Sequence, residues 1–166
     1  MGRHLLEREK RACGGQPDPK PKFEGHEYIL GRQLKPEART DIIERLAEAG
    51  IVPTSMIDIT DGLASETLHL CKSSGCGARI YLDRLPIARQ THDMAEELHA
   101  DPVVAALNGG QDYELLFTVP LSKQQEIFAL GVDVIGHVTA AGTGAMLVTP
   151  DGSEIALKAP GWKMTS

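Results

Sequence analysis

Hydrophobic residues recur along this chain with two different spacings, one typical of helices and one typical of strands. Apolar positions three or four apart predict amphipathic helices over residues 4–12, 36–50, 61–74, 90–98, 102–107 and 122–130. Short runs rich in apolar and aromatic residues predict strands over 51–59, 78–82, 113–119, 132–138, 146–149 and 154–157. Residues 27–34 are short and mixed in character. This order predicts an α+β fold with one mixed sheet flanked by helices.

The first 35 residues differ from the rest of the chain in composition. A charged helix over residues 4–12 is expected to end at Gly14 and Gly15, and residues 16–25 then carry three prolines within five positions. Proline removes a backbone donor and disfavours helix before it, so this segment is expected to be an extended linker. We therefore predict a remnant helix and linker from an absent N-terminal half over 1–35, and an α+β domain over 36–166.

Composition and charge narrow the classes of function. The chain has 166 residues, of which 42% are hydrophobic, so it is long enough to form its own core. A net charge of −6 argues against a nucleic-acid platform, which is usually basic. No run approaches the roughly 18 apolar residues that a membrane helix needs. We therefore expect neither nucleic acid nor a membrane among the partners.

The chain has three cysteines, Cys13, Cys71 and Cys76, and no secretory segment. An odd number in this context predicts reduced thiols and a cytoplasmic location. Cys71 and Cys76 have no second pair and no histidine at ligand spacing, so a zinc site is not expected. Cys71 falls on the apolar side of the predicted helix 61–74 and is expected to lie in the core.

The motif with the clearest chemistry is SMIDITDGLASE, residues 55–66. Apolar residues lead into Asp58, and Thr60, Asp61 and Gly62 follow where a helix is predicted to begin. Mg²⁺ is typically bound through one or two carboxylates together with water and phosphate oxygens, and two carboxylates around one turn suit it. The alternative is that Asp61 or Thr60 only caps the helix. Because the chain has neither a P-loop nor a Gly-x-Gly-x-x-Gly motif, phosphate is expected to bind through metal.

A second motif, NGGQDYELLF, covers residues 108–117. It places two glycines before Gln111 and Asp112, and glycine lets the backbone approach a ligand closely. Asp112 and Glu114 are expected on one face of the strand that follows. The alternative is a tight turn that feeds an edge strand, with Asp112 bonding to its own backbone.

Trp162 is the single tryptophan and follows Pro-Gly near the end of the sequence. An aromatic ring at this position is either core filler or a lid that stacks on a flat or cationic ring. The residue alone does not separate these two roles.

Taken together, IDITDGLASE, NGGQDYELLFTVP and the C-terminal PGW resemble the thiamine-monophosphate kinases of the aminoimidazole-ribotide synthetase superfamily. LLEREK and GRQLKPEAR resemble the same family. The resemblance covers nearly the whole chain, but only the C-terminal half of the family's fold. It implies the C-terminal α+β domain of an enzyme that uses ATP and Mg²⁺ to phosphorylate thiamine monophosphate to thiamine diphosphate. It also implies a partner, either the missing N-terminal half or a second copy in a homodimer.

The resemblance implies roles for five residues. Asp58 and Asp61 would be Mg²⁺ ligands, Thr60 would contact ATP, and Gln111 and Trp162 would contact thiamine monophosphate. It implies no catalytic acid or base, because a phosphate acceptor is already nucleophilic. The family usually has glutamate where this chain has Gln111, so one negative charge that would attract a cationic substrate is missing here.

Two other functions stay open at this point. One is a superfamily relative that acts on another ATP-dependent substrate, in carbamoyl, selenophosphate or ribotide chemistry, although Tyr113, Glu114 and Trp162 argue against it. The other is a non-catalytic domain that binds a ligand or a partner chain. For the chain alone we expect little or no kinase activity, because the half that carries most of the family's metal ligands is absent.

Overall fold

The computed structural model of the chain describes residues 1–14 and 20–159. Its α-helices are α1 Gly2–Cys13, α2 Glu27–Leu34, α3 Thr40–Glu48, α4 Leu63–Ser74, α5 Arg89–Glu97, α6 Pro102–Asn108 and α7 Gln124–Ala129. Its strands are β1 Ser55–Asp58, β2 Gly77–Tyr81, β3 Leu115–Thr118, β4 Gly136–Thr139, β5 Ala145–Val148 and β6 Glu154–Ala156. Short 3₁₀ segments occupy Leu82–Arg84 and Leu121–Lys123.

Four strands form a mixed sheet in the order β4-β2-β5-β6. Strand β2 pairs in parallel with β5 and antiparallel with β4, and β5 pairs antiparallel with β6. This arrangement confirms the predicted α+β class with a mixed sheet and helices. Strands β1 and β3 form a separate antiparallel ladder, with Ser55 opposite Thr118 and Asp58 opposite Leu115. The predicted single sheet is therefore divided into two.

The main core lies between α4 and the mixed sheet. It contains buried residues from α4, β2, β5 and the segments beside them: Leu63, Ala64, Cys71, Ala78, Ile80, Leu107, Ala145, Leu147 and Leu157. The predicted core position of Cys71 is confirmed. Burial raises the pKa of its thiol to about 11, and the nearby Cys76 adds to the rise.

A second core lies under the β1–β3 ladder. Ile42 and Leu46 of α3 pack with Ile127 of α7, and Leu115 and Phe117 of β3 pack against them. This cluster fixes the β1–β3 ladder, and Asp58 lies at one end of that ladder. The acidic motif therefore begins at the edge of this second core.

A third cluster joins the N-terminal segment to the rest of the chain. Leu5 of α1 is fully buried and packs with Ile29 of α2 and Met94 of α5. Residues 27–34, which were mixed in character as a sequence, form the helix α2. The domain boundary at residue 35 stays a prediction, and these contacts run across it.

The ends of several elements differ from the sequence-based expectation. The strand predicted over 51–59 is limited to Ser55–Asp58, and Pro53, which has no N–H to donate, precedes it. The helix predicted from residue 36 begins at Thr40. Within residues 1–14 and 20–159, no helix is long and apolar enough to cross a membrane.

Candidate functional site

The acidic turn, defined here as residues 58–61, connects β1 to α4. Asp58 and Asp61 are both exposed. Gly62 is the N-cap of α4 and has no side chain with which to cap the helix. The alternative in which Asp61 or Thr60 caps the helix is therefore wrong, and both carboxylates are accessible to a ligand.

Glu66 holds the acidic turn from the first turns of α4. Its side chain is buried, with 4% of the residue exposed. Its Oε1 accepts a hydrogen bond from the Thr60 hydroxyl at 3.1 Å and another from the Asp61 N–H at 3.1 Å. No role was assigned to this residue from the sequence, although it is the last residue of the motif at 55–66 and falls in a predicted helix. Glu66 thus fixes the side chain that was predicted to contact ATP.

We expect Glu66→Ala to lower the free energy of unfolding by about 2 kcal/mol, because the Asp61 N–H and the Thr60 hydroxyl lose their acceptor. Glu66→Gln keeps a carbonyl oxygen at the same reach, so its expected loss is about half as large or less. Urea denaturation followed by circular dichroism measures both. Equal losses in the two variants would contradict the role of Glu66 as a hydrogen-bond acceptor.

The glycine turn, defined here as residues 108–114, lies directly against the acidic turn. The Gln111 N–H donates a hydrogen bond to the Thr60 carbonyl oxygen at 2.6 Å. At Gly110 the φ angle is 64°, and a Cβ there would lie 2.6 Å from the same Thr60 oxygen. Only glycine fits such a close backbone approach with this conformation. The two motifs that were separate in the sequence therefore form one site.

The residues that follow the two glycines are not a strand. Gln111 has φ 61° and Tyr113 has φ 53°, the left-handed region that is unfavourable for residues with a Cβ. The Tyr113 N–H donates to the Ile59 carbonyl oxygen at 2.9 Å, which ties this conformation to the acidic turn. Strand β3 begins only after this segment, so the prediction that Asp112 and Glu114 share a strand face is wrong.

One polar group of the glycine turn is partly buried and another is fully buried. Burial raises the pKa of the Asp112 carboxyl above its ordinary value, while the nearby Arg32 guanidinium opposes the rise. In the described part of the chain, the Asn108 Oδ1 atom is buried without a hydrogen-bond partner. Asn108 lies against Gly62, because a Cβ on Gly62 would lie 2.9 Å from the Asn108 Cα. Buried polar groups of this kind are enriched at functional sites.

The donor set of the acidic turn suits an open Mg²⁺ site. Asp58 and Asp61 offer carboxylate oxygens, and Mg²⁺ commonly takes one or two carboxylates and fills its shell with phosphate and water. Among residues 1–14 and 20–159, no group of three or more His, Cys, Asp or Glu side chains comes together as a metal site. The two carboxylates thus form an open donor set and not a closed cage among the described residues.

The structure brings Thr60 and Gln111 together, with the acidic residues on the same turn as Thr60. Trp162 lies outside the described residues. The ligand roles of Asp58 and Asp61, and the contacts of the other three residues, stay predictions.

Comparison with known proteins adds evidence that is independent of this geometry. The model of the family "AIR synthase related protein, C-terminal domain" matches residues 2–149. The thiamine-monophosphate kinase of Escherichia coli (strain K12) is 38% identical over 146 residues, which is 82% of this chain and 41% of that relative. The thiamine-monophosphate kinase of Aquifex aeolicus (strain VF5) is 32% identical over 135 residues, which is 81% of this chain and 40% of that relative. The chain thus spans about 40% of the length of these curated relatives.

Solved structures show the same relationship. The crystal structure of thiamine monophosphate kinase from Aquifex aeolicus has a TM-score of 0.68 at 29% identity, covering 93% of this chain and 47% of its own. AaThiL complexed with AMPPCP and TMP has a TM-score of 0.68 at 30% identity, covering 93% of this chain and 44% of its own. Escherichia coli HypE, a hydrogenase maturation protein, shares the fold alone, with a TM-score of 0.61 at 22% identity over 82% of this chain and 46% of its own. Because the family model matches most of the sequence, this chain belongs to the family of AIR synthase related proteins, as their C-terminal domain.

Proposed function

We propose that this chain is the C-terminal part of a thiamine-monophosphate kinase, which transfers the terminal phosphate of ATP to thiamine monophosphate and forms thiamine diphosphate. The observation that carries the proposal is the junction of the two turns. The Gln111 N–H donates to the Thr60 carbonyl at 2.6 Å, so the candidate substrate residue and the candidate ATP residue are held side by side. The relatives named as thiamine-monophosphate kinases, one of them complexed with AMPPCP and TMP, support this pair of ligands.

In this proposal, Asp58 and Asp61 hold Mg²⁺, Thr60 contacts ATP, and Gln111 and Trp162 contact thiamine monophosphate. Mg²⁺, when bound, neutralises negative charge that develops during phosphoryl transfer. The work of the chain is positioning, because the acceptor is a phosphate oxygen that is already negatively charged and needs no strong general base.

The same proposal includes a partner and a compartment. The partner is the N-terminal part of such a kinase, or a second copy of the chain in a homodimer. The compartment is the cytoplasm, which is supported by the free thiols of Cys13, Cys71 and Cys76.

We expect the chain alone to turn over less than about one hundredth as fast as a whole kinase, since it spans about 40% of the relatives' length. A chimera in which this chain replaces the matching part of the Escherichia coli relative is expected to form thiamine diphosphate from thiamine monophosphate and ATP. Chromatographic separation of the thiamine phosphates measures the product in both proteins.

The acceptor specificity of the chimera decides between the proposal and its alternatives. Transfer to another superfamily acceptor, with none to thiamine monophosphate, would assign the chain to a relative with different substrates. A chimera that folds and binds ATP but transfers phosphate to no acceptor would favour a non-catalytic binding domain. Turnover by the isolated chain at the rate of a whole kinase would contradict the expected need for a partner.

A further inference from the structure

Glu114 receives two guanidinium groups from segments that are distant in sequence. Its Oε1 accepts a hydrogen bond from Arg32 Nη2 of α2 at 2.7 Å, and its Oε2 accepts one from Arg39 Nη1. Arg39 also binds Asp41 at 2.9 Å, and these two carboxylates raise the pKa of Arg39 above its ordinary value. The side chains of Arg32, Arg39 and Glu114 are 36%, 29% and 37% exposed, so solvent screens this network only in part.

The network is attached to the strained part of the glycine turn. Arg32 Nη2 donates to the Asp112 carbonyl oxygen at 2.6 Å as well as to Glu114, so one guanidinium group holds the turn at two points. Asp112 lies between Gln111 and Tyr113, the two non-glycine residues of the glycine turn that have positive φ. A residue held in this conformation costs on the order of 1–3 kcal/mol, and persists when surrounding contacts fix it.

The same helix reaches the candidate substrate residue itself. The Gln33 Nε2 group donates a hydrogen bond to Gln111 Oε1 at 2.8 Å. Arg32 and Gln33 are neighbours in the last turn of α2, so this short segment contacts the glycine turn through both a charge and an amide.

Backbone hydrogen bonds also hold the glycine turn against the acidic turn. The Gln111 and Tyr113 N–H groups donate to the carbonyls of Thr60 and Ile59, and the Ile59 N–H donates to the Glu114 carbonyl at 2.8 Å. Glu114 therefore joins the acidic turn through its backbone and α2 through its side chain.

We propose that Glu114 is a positioning residue whose ion pairs with Arg32 and Arg39 keep the glycine turn, and with it Gln111, against the acidic turn. It follows that α2 belongs to the substrate side of the site and is more than a part of a linker. The assignment of α2 to the substrate side rests on the proposed function, whereas the positioning of the glycine turn by Glu114 does not.

Amide hydrogen exchange in the 166-residue chain tests the proposal without any ligand. Glu114→Gln keeps the size of the side chain and removes its charge. We expect the amides of Gln111 and Tyr113 to exchange about tenfold faster in this variant, because opening of the turn no longer breaks two ion pairs. The Ala78 and Leu157 amides, which bond within the mixed sheet region, serve as the internal reference and are expected to keep their rates.

Glu154→Gln is the matched control. Glu154 accepts a hydrogen bond from Arg79 at 2.6 Å and is 42% exposed, so it resembles Glu114 in pairing and exposure but lies in β6 of the mixed sheet. This variant is expected to leave the Gln111 and Tyr113 rates unchanged. Equal acceleration in both variants would show a general loss of stability and overturn the proposal.

A second variant separates charge from packing. Arg32→Gln is expected to accelerate the same two amides, and Arg32→Lys is expected to restore at least half of the lost protection. If the Gln111 and Tyr113 amides exchanged within about twofold of the parent rate in both Glu114→Gln and Arg32→Gln, the inference would be overturned. This would hold even if the chain proved to be part of an active kinase. Conversely, failure of thiamine monophosphate to bind to the folded chimera described above, measured by calorimetry, would overturn the proposed function and leave the exchange result standing.

Discussion

Gly62→Ala is expected to lower the free energy of unfolding by about 3 kcal/mol or more, a large loss for a single added methyl group. Gly62 has a φ of 103°, which L-residues rarely adopt, and a Cβ there would lie 2.6 Å from the Leu107 oxygen and 2.9 Å from the Asn108 Cα. Both neighbours are backbone atoms, so no flexible side chain can move aside. The acidic turn would have to separate from the end of α6. Urea denaturation followed by circular dichroism measures the loss.

Two other glycines separate conformational strain from steric contact. Gly152 has φ 83° with nothing within 4 Å of a Cβ, so Gly152→Ala is expected to lose only about 1–2 kcal/mol. Gly31 lies inside α2 without a positive φ and with open space around it, so Gly31→Ala is expected to gain about 0.5–1 kcal/mol. A loss at Gly62 no greater than the loss at Gly152 would show that the contact with α6 is unimportant.

The helices were predictable because their signals are local. The apolar spacing predicted α4 and α5 to within about two residues at each end, as expected for strongly periodic segments, and Gly62 and Gly75 flank α4. Strands β1, β3 and β4 were predicted too long, because an apolar run does not show where pairing stops. Residues 113 and 114 belong to such a run, yet the backbone there turns through positive φ at Tyr113 and pairs only from Leu115 onward.

Pairing between distant segments was not predictable from the pattern. Strand β1 pairs with β3 and not with the mixed sheet, although both sets of strands are apolar. The contacts of Arg32 and Arg39 with Glu114 span 82 and 75 positions along the chain, and charged residues at such separations carry no periodic signal. The helical character of α2 was missed for a related reason, since its stability depends on Ile29 packing with other elements.

The candidate site was predictable in its parts and not in its assembly. The two motifs were visible because aspartates and paired glycines are conspicuous residue types. Their junction depends on backbone bonds, such as the one from Gln111 to Thr60, which any residue type can make. Glu66 was missed because a glutamate in a helix is ordinary until the structure shows that it is buried against the acidic turn.

Asp58→Asn and Asp61→Asn are each expected to lower turnover at least 100-fold in the active chimera, which is about 2.7 kcal/mol of activation free energy. Asparagine keeps the size of the side chain and removes the charge that attracts Mg²⁺. Both aspartates are exposed, so the free energy of unfolding is expected to change by less than about 0.5 kcal/mol. The measurement is steady-state formation of thiamine diphosphate at saturating ATP and fixed Mg²⁺.

Asp83→Asn is the control for this pair, because Asp83 is also an exposed carboxylate that follows a strand, β2, but it lies outside the acidic turn. Its turnover is expected to stay within about threefold of the parent chimera. Raising the Mg²⁺ concentration is expected to recover part of the activity of Asp58→Asn and Asp61→Asn, since a weakened ligand set still binds the ion at higher concentration, whereas a misfolded variant does not recover. If either variant kept its turnover within about threefold, a barrier change below about 0.7 kcal/mol, that aspartate would not be a ligand of the catalytic metal.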